Sequence, residues 1–222
     1  MHFVLIPGAG GEATYWGRLV PELERRGHSA TPVDIREDDP ALGLPEYAEA
    51  VDAAVAASAT GARDVVLVAQ SLGGFTAPMV RTPVRMIVLL NAMIPRPGET
   101  PGDWWGNTGC EAAGSDPDFD AEHYFLHDIP EDVRAEMLAV EPRGPSETPF
   151  GQACDFERWP DGPIKVLVGR DDRFFPADFQ RRVAKERLGL DADEIPGGHL
   201  VALSNPHGVA DRLATYVADL ER

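Results

Sequence analysis

Residues 65–74 read VVLVAQSLGG, an apolar run that ends in a serine flanked by small residues. The apolar residues before Ala69 predict a buried strand, and a helix-compatible segment follows Gly74. A strand that turns sharply into a helix holds the residue at its apex in a strained backbone conformation and presents that side chain at the sheet edge. The pattern G-x-S-x-G is typical of such a turn, and Ala69 replaces its first glycine here. The stretch predicts a nucleophile, Ser71, although a serine in a glycine-rich loop can also simply cap a helix.

A nucleophilic serine requires a general base, and the base requires an acid that orients it. His199 follows the loop 195–198, at the end of a short strand-like segment, and Asp172 follows the apolar run 166–169. The chain order is therefore Ser71, Asp172, His199. This is the order of the α/β-hydrolases, and it differs from the orders of the chymotrypsin and subtilisin types. Three strand-end residues in this order predict a catalytic triad more strongly than any one of them.

Asp171 competes with Asp172 for the acid role. A G-x-x-D-x-x-x-P reading from Gly169 to Pro176 selects Asp172. Asp171 would then face solvent or pair with an arginine. We expect Asp172 to hold the tautomer of His199 and to stabilise the imidazolium.

Acyl transfer also needs N–H donors where negative charge develops on the carbonyl oxygen. We expect one donor to be the backbone N–H of Leu72, the residue after the nucleophile. The loop Pro7–Gly11, directly after the apolar run 3–6, should supply the second donor from Ala9. The rival interpretation of this loop is a phosphate-binding site, but it lacks G-K-[ST] and does not fit the register G-x-G-x-x-G. We therefore expect no nucleotide, cofactor or metal.

Strand-like and helix-like segments alternate along most of the chain. Strands are predicted near 2–7, 28–35, 64–70, 84–91, 163–169 and 190–195, and helices near 14–26, 45–59, 72–82, 176–188 and 205–221. Such alternation predicts an α/β fold with a six-stranded, mainly parallel sheet and helices on both faces. Right-handed crossovers bring the carboxyl ends of all strands to one edge, where ligands bind in open sheets of this kind. The predicted triad and the loop Pro7–Gly11 all lie at such ends.

Residues 97–161 break this alternation, being rich in proline, glycine, aspartate and aromatic residues. We interpret them as a cap inserted into a core made of 1–96 and 162–222. A cap lying over the site would supply apolar walls and exclude water. Trp104, Trp105 and Phe125 are the candidates to line the substrate pocket.

Four further stretches carry recognisable patterns. They read HFVLIPGAGG at 2–11, GHSATPVD at 27–34, DRFFPADFQ at 172–180 and HLVALSNP at 199–206. Together they resemble the plant methyl-esterase and hydroxynitrile-lyase group of the α/β-hydrolases, with the patterns H-F-V-L-V-H-G-A, G-H-x-V-x-A-x-D, D-x-x-x-P-x-x-F-Q and H-M-x-M-x-x-x-P. The resemblance covers most of 1–96 and 162–222 and is weak between them. It implies an α/β-hydrolase of bacterial type with a shortened cap.

Departures from the group's patterns bear on the reaction. Pro7 stands where the group has histidine, which can reshape the loop that carries Ala9, and Gln70 stands where it often has histidine. The lyase members carry threonine at the position of Gly8 and lysine at the position of Leu200. Both differences favour hydrolysis of a small ester and place these two residues beside the substrate.

Other functions of the same fold stay open at this point. A hydroxynitrile-lyase-like or C–C bond-cleaving enzyme would use a similar triad. A receptor-like protein that binds a ligand and turns it over slowly would keep the triad as well. The fold alone does not separate these alternatives.

The net charge and the spacing of apolar, cysteine and histidine residues disfavour several classes of partner and site. The chain has 222 residues and a formal net charge of −17, which disfavours nucleic acid and anionic membranes because their phosphates would be repelled. No apolar run is long enough to span a membrane, and Cys110 and Cys154 lack disulfide or metal spacing. His123 and His127 share one helix face, but without H-E-x-x-H we expect no metal site. We expect a cytoplasmic protein, monomer or homodimer, that acts on a small-molecule ester.

Overall fold

The computed structural model describes residues 1–58, 64–110, 119–141 and 143–220. Its strands are β1 (His2–Ile6), β2 (Ser29–Pro32), β3 (Val65–Gln70), β4 (Met86–Leu90), β5 (Ile164–Gly169) and β6 (Asp193–Ile195). They form one sheet in the order β2-β1-β3-β4-β5-β6, and every pairing is parallel. This confirms the predicted six-stranded α/β fold.

Helices cover both faces of the sheet. The α-helices among the described residues are α1 (Leu19–Arg25), α2 (Leu44–Ala57), α3 (Gly73–Thr76), α4 (Pro101–Thr108), α5 (Glu131–Leu138), α6 (Ala177–Leu188), α7 (Val201–Ser204) and α8 (Pro206–Leu220). The side chains of strand β3 alternate between the two faces of the sheet. Its residues 65, 67 and 69 pack in a buried cluster with α2 and α6, whereas residues 66 and 68 pack with α1 and α8. An uninterrupted apolar run is what a strand covered on both faces requires.

Two predicted helices are shorter in the structure because of proline. The predicted helix 14–26 is a 3₁₀ turn, Ala13–Trp16, followed by α1. Starting α1 at Leu19 places Pro21 in the first turn, where its missing N–H costs nothing. The predicted helix 72–82 is α3 followed by the 3₁₀ turn Ala77–Met79, since Pro78 interrupts the α-helical ladder.

The described part of 97–161 contributes none of the six strands. It contains α4, one turn of π-helix at Glu122–Leu126, α5 and a 3₁₀ turn at Thr148–Gly151. Leu126, Ile129 and Val133 form a small buried cluster with Leu203 of α7. These three residues therefore pack on the part of the core that follows β6, and the role of 97–161 as a separate cap stays a prediction. No helix in the described ranges is long and apolar enough to cross a membrane.

Candidate active site

Ser71 lies at the turn between β3 and α3 and has a backbone φ of 49°. A positive φ is uncommon for a residue with a side chain and matches the strain expected at this turn. The carbonyl of Ser71 accepts hydrogen bonds from the N–H groups of Gly74 and Met93, both at 3.0 Å. A side chain at Gly74 would collide with the carbonyl oxygen of Met93, so the loop after β4 can hold the turn only if this position is glycine.

The structure brings Ser71, His199 and Asp172 into one hydrogen-bonded row. The Oγ of Ser71 lies 3.1 Å from Nε2 of His199, and Nδ1 of the same ring lies 2.8 Å from Oδ2 of Asp172. An ionised carboxylate only accepts hydrogen bonds, so Nδ1 carries the proton and Nε2 is free to accept from the serine. Their exposed fractions are 8%, 3% and 4%. The row is therefore shielded from bulk water, which strengthens its electrostatic interactions.

Asp172 is fixed by more than the histidine. Its Oδ1 accepts from the backbone N–H groups of Phe174 and Phe175 at 2.8 and 2.9 Å. Its Oδ2 also accepts from Nε2 of Gln180 on α6, at 3.1 Å. With four donors on two oxygens, the carboxylate has one orientation, and that orientation faces His199.

The neighbouring Asp171 has a different environment. Its side chain is 49% exposed and pairs with Arg170, and its Oδ2 accepts from the N–H of Gly197 at 3.1 Å. The Gly197 bond, together with Arg170, lowers the pKa of this carboxyl below its usual value. Of these two described carboxylates, it is Asp172 that lies within hydrogen-bond distance of His199.

The loop after β1 passes directly over the serine. A Cβ added at Gly8 would lie 2.8 Å from Cβ of Ser71, so only glycine permits this approach. Ala9 follows at the surface of the loop, and Leu72 follows the serine on the other side. Among the hydrogen bonds of the described residues, none is donated by the backbone N–H of Ala9 or Leu72.

Glu37 holds this loop through a hydrogen bond from the loop's backbone. Its Oε2 accepts from the backbone N–H of Gly10 at 2.8 Å, and its own carbonyl accepts from Ser146. Burial raises the pKa of Glu37 to about 8, although the Gly10 bond and the nearby Arg143 act in the opposite direction. A buried acid thus holds the residue next to Ala9.

Aromatic rings surround the imidazole. The ring centroids of Phe125, Phe174 and Phe175 lie 5.4, 5.0 and 5.1 Å from that of His199. Trp105 packs edge-on against Phe174, with 5.7 Å between centroids. These four rings, which we call the aromatic cover, make an apolar surrounding for the base.

Two of the other residues predicted to line the pocket occupy different surroundings. Trp104 is completely buried, and its Nε1 donates to the carbonyl of Ile94 at 3.1 Å. It is part of the main core cluster, and the structure gives it a packing role. Leu200 is partly buried against the small cluster that contains Leu126 and Leu203.

Several polar and aromatic residues of this site were missed by sequence reasoning. Phe174, Phe175 and Gln180 lie in the stretch DRFFPADFQ, so the family pattern itself was the available signal. Asn91, which contacts the carbonyls of Gly198 and His199, carries no sequence signal because it merely follows an apolar strand.

One cavity adjoins this site, and another lies away from it. Within the described ranges, no three His, Cys, Asp or Glu side chains are grouped as metal ligands. A cavity of about 500 Å³ lies behind the aromatic cover and is lined by Phe174, Tyr124 and Phe179, among others. A larger cavity, of about 660 Å³, lies near Pro83 and Gly162 at the opposite end of β4, away from Ser71.

Comparisons with known proteins agree with this fold. A family model described as "Alpha/beta hydrolase family" matches residues 3–212. The chain is 29% identical to "Probable esterase PIR7A" of Oryza sativa, over 98% of this chain and 97% of that protein. It is 26% identical to "Polyneuridine aldehyde esterase" of Rauvolfia serpentina, over 94% and 92%.

Solved structures share the same arrangement of elements. The crystal structure of polyneuridine aldehyde esterase superposes with a TM-score of 0.79 at 20% identity, covering 97% of this chain and 98% of that one. The methylesterase MES16 from Arabidopsis gives a TM-score of 0.78 at 19% identity, covering 98% and 99%. At such low identity these structures support the fold, while the family assignment rests on the match over residues 3–212. The chain belongs to the alpha/beta hydrolase family, and plant esterases are among its relatives.

Proposed function

We propose that this protein is a serine esterase that hydrolyses a small carboxylic ester through an acyl-serine intermediate. The alpha/beta hydrolase family and relatives named as esterases support an ester-cleaving hydrolase. The observation that carries the finer proposal is the row of two hydrogen bonds from Ser71 through His199 to Asp172. Such a row is the arrangement that activates a serine hydroxyl.

In the first half-reaction, Ser71 Oγ attacks the ester carbonyl carbon as Nε2 of His199 takes its proton. The imidazolium that forms is stabilised by Asp172, which accepts from Nδ1. The tetrahedral intermediate collapses when the C–O bond to the alcohol breaks, and His199 returns the proton to the leaving alcohol oxygen. An acyl-serine remains.

In the second half-reaction, water replaces the alcohol. His199 takes a proton from the water as its oxygen attacks the acyl carbon, and the C–O bond to Ser71 then breaks. The proton returns to Ser71 Oγ, and the carboxylic acid leaves. Atoms and charges balance with water as the only co-reactant.

The backbone N–H groups of Ala9 and Leu72 are the proposed oxyanion donors. Leu72 follows the serine in sequence, and Ala9 follows Gly8 in the loop that passes over the serine. Neither backbone N–H donates one of the loop and turn hydrogen bonds of the described residues. A preorganised donor of this type contributes roughly 10²–10³-fold to turnover. The bond from Gly10 to Glu37 keeps the first donor's loop in place.

The substrate pocket is proposed between the core and the segment 97–161, which acts as a cap. Phe125 lies over His199 from this segment, and Trp105 reaches the same aromatic cover. Gly8 and Leu200 would border the site beside the serine and the histidine. Apolar walls favour an ester with an apolar acyl or alcohol group over a strongly charged one.

Replacing Ser71 by alanine tests the proposal. We expect Ser71→Ala to lower kcat on p-nitrophenyl acetate by roughly 10⁴-fold or more. Ser29→Ala, on the exposed edge strand β2, is the matched control and should keep full activity. A fluorophosphonate should label the wild-type protein on the peptide that contains residue 71 and leave Ser71→Ala unlabelled. A loss of less than about tenfold would assign the chemistry to another group.

A second assay separates hydrolysis from the other reactions of this fold. Product analysis on a cyanohydrin should detect no cyanide release above the uncatalysed rate. Tight binding of an ester with negligible turnover, unchanged in Ser71→Ala, would instead identify a receptor-like protein.

A further inference from the structure

Asn91 follows β4 directly and is completely buried, with a backbone φ of 45°. Strand β4 lies between β3, which ends at the serine turn, and β5, which leads to the acid. Asparagine tolerates a positive φ better than most residues, but a buried amide is costly unless its donors and acceptor are all used. The contacts of Asn91 are therefore informative.

The side chain of Asn91 joins the loops that carry the acid and the base. Its Oδ1 accepts from the backbone N–H of Gly169 at 2.6 Å, and its Nδ2 donates to the carbonyls of Gly198 and His199, both at 3.0 Å. Its own backbone N–H donates to Leu167 at 3.0 Å. One side chain thus fixes the end of β5 against residue 199 itself.

The same network reaches the acid through a second amide. Nε2 of Gln180 lies 3.4 Å from Oδ1 of Asn91 and 3.1 Å from Oδ2 of Asp172. Gln70, next to the serine, donates to the carbonyl of His199 at 3.4 Å. The backbone of the base is therefore held by two side-chain amides, of which Asn91 makes the shorter bond.

We propose that Asn91 is a positioning residue that sets the distance between the acid loop and the base loop, and so holds the imidazole of His199 against Ser71. This inference rests on the proposed function. Asn91 touches none of the reacting atoms and acts through the backbone of His199. Only an amide fits, because the position needs one acceptor for Gly169 and two donors for carbonyl oxygens.

Two variants test the role of the amide. Asn91→Gly keeps the positive φ without strain and removes only the side chain. Asn91→Asp keeps the shape and the acceptor but turns a carboxylate oxygen towards the carbonyls of Gly198 and His199. Small misplacement of a catalytic group costs on the order of 100-fold in rate. We therefore expect both variants to lower kcat on p-nitrophenyl acetate by roughly 30- to 100-fold, with KM changed by less than about threefold.

Leu213→Ala is the matched control for stability. Leu213 is completely buried in α8, in the cluster on the face of the sheet that α1 and α8 cover. Its truncation should therefore lower the Tm without removing a hydrogen bond of the active site. We expect this variant to keep kcat within about twofold at 20 °C. Fluorophosphonate labelling of Ser71 should slow in Asn91→Gly and stay at the wild-type rate in Leu213→Ala.

The outcomes separate this inference from the proposed function. If Asn91→Gly folds and keeps kcat within about threefold while Ser71→Ala is inactive, the positioning role is overturned and the esterase stands. If neither Asn91 variant folds, Asn91 serves stability alone and the inference is again overturned. If Ser71→Ala keeps its activity, the esterase proposal itself fails.

Discussion

Two regions around His199 are stabilised by different kinds of interaction. The first, which we call the polar rim, is held by directional hydrogen bonds. Its members are Ser71, Asn91, Asp172, Gln180 and His199. The second is the aromatic cover, whose rings meet one another and the imidazole at centroid distances of 4.7–5.7 Å.

The two kinds of interaction tolerate substitutions differently. A hydrogen bond depends on donor, acceptor and angle, and a buried polar group left without its partner costs about 1–3 kcal/mol. Ring packing is less directional, and its loss scales with the apolar area and the cavity that remains. We therefore expect single-atom changes in the polar rim to lower turnover by roughly 30-fold or more, whereas truncations in the aromatic cover should give smaller, graded losses.

After Ser71→Ala, the largest effect should come from the acid of the polar rim. Asp172→Asn replaces one acceptor oxygen by an NH₂ group and can leave His199 in the wrong tautomer, so we expect kcat to fall by roughly 10³–10⁴-fold. Asp171→Asn is the adjacent control and should stay within about threefold of wild type, because its carboxylate pairs with Arg170 at the surface. Steady-state kinetics on p-nitrophenyl acetate measure both. An equal loss in the two variants would contradict the assignment of the acid.

The second prediction contrasts two adjacent tryptophans. Trp104 is buried and bonded to Ile94, so Trp104→Ala should lower the free energy of unfolding by about 3–5 kcal/mol. Trp105 is only partly buried, so Trp105→Ala should cost less stability and instead raise KM for an apolar ester. Urea denaturation and ester kinetics on both variants check this division. It would be wrong if Trp105→Ala were the less stable protein.

The third prediction concerns Phe125, the ring that the helical segment around Glu122–Leu126 contributes to the aromatic cover. Phe125→Ala should lower kcat/KM for a bulky apolar ester by about tenfold, since about 1.4 kcal/mol of apolar contact corresponds to that factor. The loss on p-nitrophenyl acetate should be smaller, because acetate is too short to fill the pocket. Phe156→Ala is the control, because Phe156 packs against Trp159 outside the cover. Equal losses on both esters would show that Phe125 acts on His199 and does not select substrate.

The smallest effect on turnover is expected at Glu37, beside the loop that carries Ala9, where the stability of the fold should depend on pH. Burial raises the pKa of Glu37 from 4.5 to about 8, so the folded protein binds a proton that the unfolded chain releases. The contribution of this proton to the free energy of unfolding is fully present below pH 4.5 and is lost as the pH rises to about 8.

Glu37→Gln keeps an acceptor oxygen for Gly10 and removes the titration. We expect equal Tm values for wild type and variant at pH 4.5, and a higher Tm for the variant at pH 9, where only the wild type carries a buried charge. Thermal melts across this range measure the difference. A constant Tm difference at all pH values would mean that Glu37 does not titrate there.

Local sequence predicted the parts of this site that come from strand ends. The run VVLVAQSLGG predicted β3, the turn and the position of Ser71, because an apolar strand followed by small residues has few alternatives. The predicted continuous helices 14–26 and 72–82 were less accurate, because each is divided into an α-helix and a 3₁₀ turn. Pro21 and Pro78 restrict where an α-helix can begin and continue, and helical periodicity does not show this. Trp104 and Trp105 look identical in sequence, and only their burial separates a core residue from a candidate lining residue.

The amino-acid sequence alone predicts the order of strands and helices along the chain, and it predicts the sheet edge at which Ser71, Asp172 and His199 meet. This was possible because parallel strands with right-handed crossovers leave a single place for all their carboxyl ends. The amides and rings that surround these three residues are visible only in the folded chain. Asn91 meets His199 across 108 positions of the chain, and no local periodicity encodes a contact between two loops that are separately attached to the sheet.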